Sequence, residues 1–279
     1  MKRFLLLLPL LLIGGLYLNW QLTTASHDRD WRDDYSRLPQ VTERDGRFRV
    51  EDIRNWNYGM DGTIARQEWI TRDIDPDTLE QAYFLLEPFG AVDAIAHTML
   101  AFSFADGTAY VASIEARREK GEAYSAAKAA MLPIFEYMFV WTTERDMYGN
   151  SEFYAGDQLY LYPLAIPLAQ QKAVMTAMLE ETAEIAETPR WYNTLFSNCT
   201  NVLARTVNKL DAGAVPFDIA WFLPGYSDEF LYDEGFLAQA DSFEAAHQMA
   251  HISPLIRELY RIMDPADFSR ALRAARGGI

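Results

Sequence analysis

The chain opens on an apolar run from Phe4 to Trp20, preceded by Lys2 and Arg3 and followed by Asp28-Arg29-Asp30-Trp31-Arg32-Asp33-Asp34. Positive charge ahead of an apolar run is the pattern of an export signal or a membrane anchor, and Tyr17 and Trp20 suit an interfacial aromatic belt. The pattern predicts a retained membrane-anchor helix over residues 1–22, a juxtamembrane stalk over 23–45 and one folded domain over 46–279. With the positive flank inside, that domain lies on the periplasmic face of the inner membrane. Charged or strongly polar residues interrupt every later apolar run, so a single-pass topology is expected.

Downstream, Phe48-Arg49-Val50 and residues 62–70 have strand character, with Asn, Gly and Asp turn signals between them. Asp75-Pro76 predicts a short helix over Asp77 to Tyr83. The clearest strands are Ala96 to Phe104 and Thr108 to Arg117, joined at Ala105-Asp106-Gly107. Helical spacing follows from Ala123 to Met131, and again from Ala169 to Glu187, where Ala173, Val174, Ala177, Met178 and Ile185 fall near one face. Further helices are expected from near Asn198 to about Leu210 and from Glu244 onward. No internal repeat or linker divides the chain, and the whole reads as an α+β domain with segregated strands.

Composition narrows the function. Half of the 279 residues are apolar, enough for a sizeable core, and a net charge of −15 argues against a phosphate-backbone partner, so no nucleic acid is expected. Gly-rich phosphate loops and closely spaced Cys/His ligand motifs are absent, and the sequence calls for no cofactor and no metal.

The single cysteine, Cys199, cannot make an intramolecular disulfide. Ser197 or Asn198 is a good N-cap, which puts Cys199 in the first turn of a helix. Free N–H groups and the positive end of the helix dipole favour a thiolate there and can bind a developing oxyanion. A small buried hydrophobe would look the same. A thiolate nucleophile needs a base, and the chain has four histidines. His27 falls in the stalk, and His247 and His251 lie one helical turn apart with no third ligand in view. His97 begins a strand beside apolar or small neighbours. If Ala105-Asp106-Gly107 is a three-residue loop with Gly107 in the left-handed conformation, Phe104 pairs with Thr108 and Glu115 falls opposite His97. A two-residue turn would send Glu115 to the other face. In the bulged register the carboxylate orients the imidazole, the acid's role in a Cys-His-acid triad, and Ser113 is expected farther away. Asn198, Arg117 and Arg145 are candidates for substrate or oxyanion contact, with Asp146 nearby in sequence, although such charged runs are more often solvated faces or surface ion pairs.

The order of these residues, histidine on an early strand, acid on the adjoining strand and cysteine at a later helix start, resembles a circularly permuted papain-like arrangement. Asn198-Cys199-Thr200 is similar to the Asn-Cys nucleophile motif of lecithin:retinol acyltransferase and its bacterial relatives. Ile53-Arg54-Asn55-Trp56, His97-Thr98-Met99-Leu100, Phe102-Ser103-Phe104, Ser113-Ile114-Glu115-Ala116-Arg117, Glu144-Arg145-Asp146 and Tyr192-Asn193-Thr194-Leu195 together resemble the Lnb N-terminal periplasmic domain family. The resemblance implies acyl transfer from a membrane phospholipid, through a thioester on Cys199, to the amino group of a lipoprotein N-terminus. His97 would serve as base and then acid, and Glu115 as its orienter. The rival readings are a cell-wall or protein amidase with the same triad and a non-catalytic periplasmic scaffold. An apolar groove beside Cys199 would favour the lipid enzyme, and an open polar cleft the amidase.

Overall fold

The computed structural model describes residues 14–277 apart from positions 91 and 93. Its framework is an eight-stranded sheet built from β1 (Gln40–Arg44), β2 (Arg47–Arg54), β5 (Trp69–Ile74), β6 (Leu79–Pro88), β7 (Ala96–Phe104), β8 (Ala109–Arg117), β9 (Glu136–Thr143) and β10 (Tyr160–Pro163). The strands run in the order β1-β2-β9-β8-β7-β6-β10, with β5 also pairing with β2. A small hairpin of β3 (Asn57–Tyr58) and β4 (Ile64–Arg66) stands apart.

Helices cover both faces. Successive side chains of a strand point to opposite sides, so a strand buried on both reads as a continuous apolar run. All eight residues of β9 are buried. On one face Leu100, Phe102 and Trp141 pack against Val174 and Met178 of α4 (Leu168–Glu187) and Val202 of α5 (Cys199–Leu210). On the other, Leu85, Met99 and Val111 meet Tyr148 of α3 (Glu144–Gly149), Ile256 of α8 (Ser253–Leu259) and Phe268 of α9 (Pro265–Ala275). Burying such a side chain is worth about 1.5–3 kcal/mol, so this sandwich supplies the rigidity on which a site at the sheet's end can rest. The remaining helices are α1 over residues 14–22, α2 (Ala126–Met131), α6 (Ser227–Asp233) and α7 (Phe243–Ala250). The α+β expectation holds.

The membrane-anchor helix does not. The described part of helix α1 covers residues 14–22. Among the described residues no helix is long and apolar enough to cross a membrane; residues 1–13, the rest of that expectation, lie outside the described residues. The segment expected as a stalk is part of the folded body. Trp31 and Tyr35 are buried, Trp31 bridges to Glu119, and the Arg117 guanidinium lies 4.1 Å from the centre of the Trp31 ring. The short helix expected over Asp77 to Tyr83 is also corrected. Asp75 does start a turn, its carboxylate accepting from the Asp77 amide, but the turn ends at Thr78 and a ten-residue strand follows. Ala82 to Leu86 are buried on both faces against β7 and β10, and that pairing overrides the local helix start.

The β7–β8 hairpin closes as its sequence predicts. Gly107 has φ of 85°, its amide donates to the Phe104 carbonyl at 2.8 Å, and the Phe104 amide donates to the Thr108 carbonyl at 2.9 Å. The ladder pairs Ser103 with Ala109 and ends at Met99 with Ser113; carried two residues further, the same register brings His97 to Glu115, 3.1 Å apart.

Candidate active site

Cys199 is the first residue of α5, and the sequence before it fixes that start. Asn198 is the N-cap: its Oδ1 accepts from the Asn201 amide at 2.8 Å, while its Nδ2 donates to the carbonyls of Thr194 and Trp221. Asn193 pins the preceding loop, accepting from the amides of Leu195 and Phe196 and donating to the carbonyls of Ala129 and Ala130. The thiol is buried, at a helix end whose first-turn N–H groups lack intrahelical partners. Asn198 spends both ends of its side chain on this scaffolding and is not free to meet a substrate oxyanion.

His97 meets its partners across the hairpin. Its Nε2 lies 2.6 Å from Ser113 Oγ and 3.1 Å from Glu115 Oε1, and Ser113 Oγ donates to the same Glu115 oxygen at 2.5 Å. A hydroxyl has one proton, and Ser113 gives it to the carboxylate. The neutral ring therefore carries its own proton on Nε2 and keeps Nδ1 as the base. Ser113 is closer to His97 than the sequence suggested. Two residues before Glu115, it shares the same sheet face and meets His97 diagonally, within reach of a long side chain. Tyr35, from the segment expected as a stalk, donates to Glu115 Oε2 at 3.3 Å and accepts from Arg118 at 2.5 Å.

The electrostatics couple these groups. Burial alone would push the Cys199 thiol up, but the facing His97 and hydrogen bonds from Thr98 outweigh it, and the pKa falls below the ordinary thiol value. Burial likewise opposes charge on His97, yet Glu115 and Cys199 raise it well above 6.5. Glu115 is held down to about 2: burial would raise it, and His97, Ser113 and Arg118 reverse that. All three shifts favour a thiolate–imidazolium pair leaning on a carboxylate. Thr98 adds a hydroxyl contact of 3.1 Å to Thr200, tying the strand to the first turn of α5.

Arg117 and Arg145 are not brought to this site. Arg117 is buried and donates to the carbonyls of Tyr35 and Ser36, locking the N-terminal segment onto β8. Arg145 donates to the carbonyls of Tyr260 and Ile262 and lies 4.0 Å from the centre of the Tyr260 ring, holding the C-terminal helices. Asp146 is fully buried and takes the Arg54 guanidinium in a bidentate pair. These charges build the scaffold. Among the described residues no cluster of three His, Cys, Asp or Glu side chains could hold a metal ion. Conversely, sequence reasoning missed Tyr35, Thr98 and Glu87. Glu87 pairs with His97 across β6–β7 and is buried; with a helix expected over Asp77 to Tyr83 and no strand assigned after it, its register carried no signal.

Along α5 runs an apolar cavity of about 460 Å³, lined by Thr200, Leu203, Ala204 and Val207 and by Val174 and Phe230. Its first α5 residue is the neighbour of Cys199. Neither this cavity nor a separate hollow bounded by Arg32, Asp34, Trp56 and Lys120 has Cys199 or His97 in its wall.

No curated protein and no solved structure matches the chain. A family comparison matches residues 65–223, the span holding His97, Glu115 and Cys199, to the Lnb N-terminal periplasmic domain. That match covers more than half of the 279 residues, and the chain belongs to the Lnb N-terminal periplasmic domain family.

Proposed function

We propose that the protein is a cysteine-dependent acyltransferase that takes a long acyl chain from a phospholipid. The observation that carries this reading is the apolar cavity running along α5 from the residue beside Cys199. From Thr200 to Leu210, both in its wall, α5 extends about 15 Å, roughly half of a bilayer's ~30 Å hydrocarbon core and so the reach of one leaflet's acyl chain. The volume falls within the ~300–1,000 Å³ usual for ligand pockets.

In the first half-reaction His97 Nδ1 takes the thiol proton and the Cys199 sulfur attacks the ester carbonyl carbon. The oxyanion so formed faces first-turn N–H groups of α5, where the helix dipole also favours negative charge. Collapse breaks the C–O bond, and His97 returns its proton to the leaving alcohol oxygen, leaving a thioester on Cys199. In the second half-reaction an amine attacks the thioester and gives a proton to His97. The C–N bond forms, the C–S bond breaks and the thiolate is restored. Glu115 and Ser113 hold the ring's Nε2–H throughout. The acceptor that the family membership supports is the amino group of a lipoprotein N-terminus, in the periplasm.

An amidase reading would gain from an open polar cleft at Cys199; the cavity that reaches the first turn of α5 is apolar. The test is mass spectrometry of the protein after incubation with phospholipid vesicles. A hydroxylamine-sensitive acyl adduct on Cys199, absent from Cys199→Ala and His97→Ala variants that retain the native fold, is expected. A fast-alkylating Cys199 that never acquires an adduct would overturn the lipid reading in favour of the amidase, and an inert Cys199 would favour the scaffold.

A further inference from the structure

We propose that Glu87 is a second carboxyl partner of His97, held as a neutral acid on the flank opposite Glu115, and that its ionisation changes the electrostatics of the nucleophile. The inference rests on the reading of Cys199 and His97 as a reactive pair, and it assigns a positioning role to a residue outside that triad. Three observations converge on it. First, Glu87 of β6 pairs with His97 of β7, and His97 meets Glu115 of β8 at 3.1 Å, so the three fall in one row across three neighbouring strands. Adjacent strands lie about 4.8 Å apart, so the imidazole stands between two carboxyl groups.

Second, the one hydroxyl facing Glu87 is only partly available to it: Ser151 favours the charged carboxylate, yet it donates its single proton to the Met147 carbonyl at 3.1 Å.

Third, the surroundings disfavour a second anion. Glu87 is buried, and the groups facing it are His97 from β7, Glu115 from β8, Ser151 and Asp157. Burial, joined by the negative charges of Asp157 and Glu115, outweighs the opposing pull of His97 and Ser151 and raises Glu87 to about 7. Below that pH one carboxylate faces the imidazolium; above it there are two, and the added negative charge acts on the thiolate beyond.

The lone cysteine allows a test that needs no substrate. Cys199 is alkylated with neutral iodoacetamide and with anionic iodoacetate across pH 6–8, and the ratio of the two rates is followed. Ionisation of Glu87 repels only the anionic reagent, so the iodoacetate-to-iodoacetamide ratio falls roughly three- to tenfold in the wild type with a midpoint near 7. In Glu87→Gln, of the same shape and permanently neutral, the ratio stays flat. An equal fall in the variant would overturn the proposal, because the charge responsible would lie elsewhere. If Glu87→Gln does not fold, infrared difference spectra of the wild type decide: a protonated-carboxyl C=O band titrating near 7 supports the assignment, and its absence overturns it. A protein that passes this test but never forms an acyl thioester would refute the proposed function alone.

Discussion

Replacing Glu115 with glutamine removes a charge and keeps the shape, which isolates what the carboxylate does for His97. Glu115 sits at about 2 against an ordinary 4.5, a difference on the order of 3 kcal/mol between its two protonation states. Burial works against that shift, and the stabilisation is shared by His97, Ser113 and Arg118, with His97 supplying the largest part. Two effects follow. Without the carboxylate the imidazolium is less stable, the thiolate paired with it forms less readily, and alkylation of Cys199 by iodoacetamide at pH 6 slows by roughly tenfold or more. The second concerns acid stability. A carboxylate with a depressed folded-state pKa stabilises the fold above its unfolded value and loses that contribution as pH falls through the folded one. The wild type should therefore lose on the order of 3 kcal/mol between about pH 4.5 and 2 through this group, and Glu115→Gln should not. Denaturant titrations across that range measure it. An alkylation profile identical in wild type and variant would refute the orienting role of Glu115.

Two further predictions probe the cavity and the scaffold. Ala204→Phe puts a ring into the cavity wall and should reduce thioester formation from a long-chain phospholipid by roughly tenfold or more while leaving iodoacetamide alkylation unchanged; an unaffected acylation rate would remove the cavity from the mechanism. Asp146→Ala strands the buried Arg54 guanidinium and should cost about 3–5 kcal/mol, read as a shift in the urea midpoint; a loss below about 1 kcal/mol would show that this pair does not hold β2 to α3.

The parts of this site legible in the sequence were local. The hairpin at Ala105-Asp106-Gly107 fixes which residue faces His97, because a glycine with positive φ closes the three-residue loop and every register position follows from it. The helix start at Asn198 is equally local, a capping side chain one residue before the thiol. What the sequence hid came from distant pairing. Strand β9, Glu136 to Thr143, is buried along its whole length and has no alternation to betray it. Arg117 and Arg145 look like surface charges in the sequence, yet each is buried against carbonyls of a remote segment. Tyr35 carries no pattern that ties it to Glu115; only the path of the N-terminal segment over β8 brings them together.

That path brings the segment around Tyr35 into the surroundings of His97 and Glu115. A recombinant protein cut to begin at residue 65, where the family match starts, would keep His97, Glu115 and Cys199 but lose the Tyr35 hydroxyl from Glu115. The site is thus non-local in folding terms: its contacts join position 35 to 115, 97 to 113, and 98 to 200. Pairings of such high contact order form late, after the loop-closure entropy between them has been overcome. A partly folded chain lacks them, so the lowered pKa of the Cys199 thiol belongs to the completed fold.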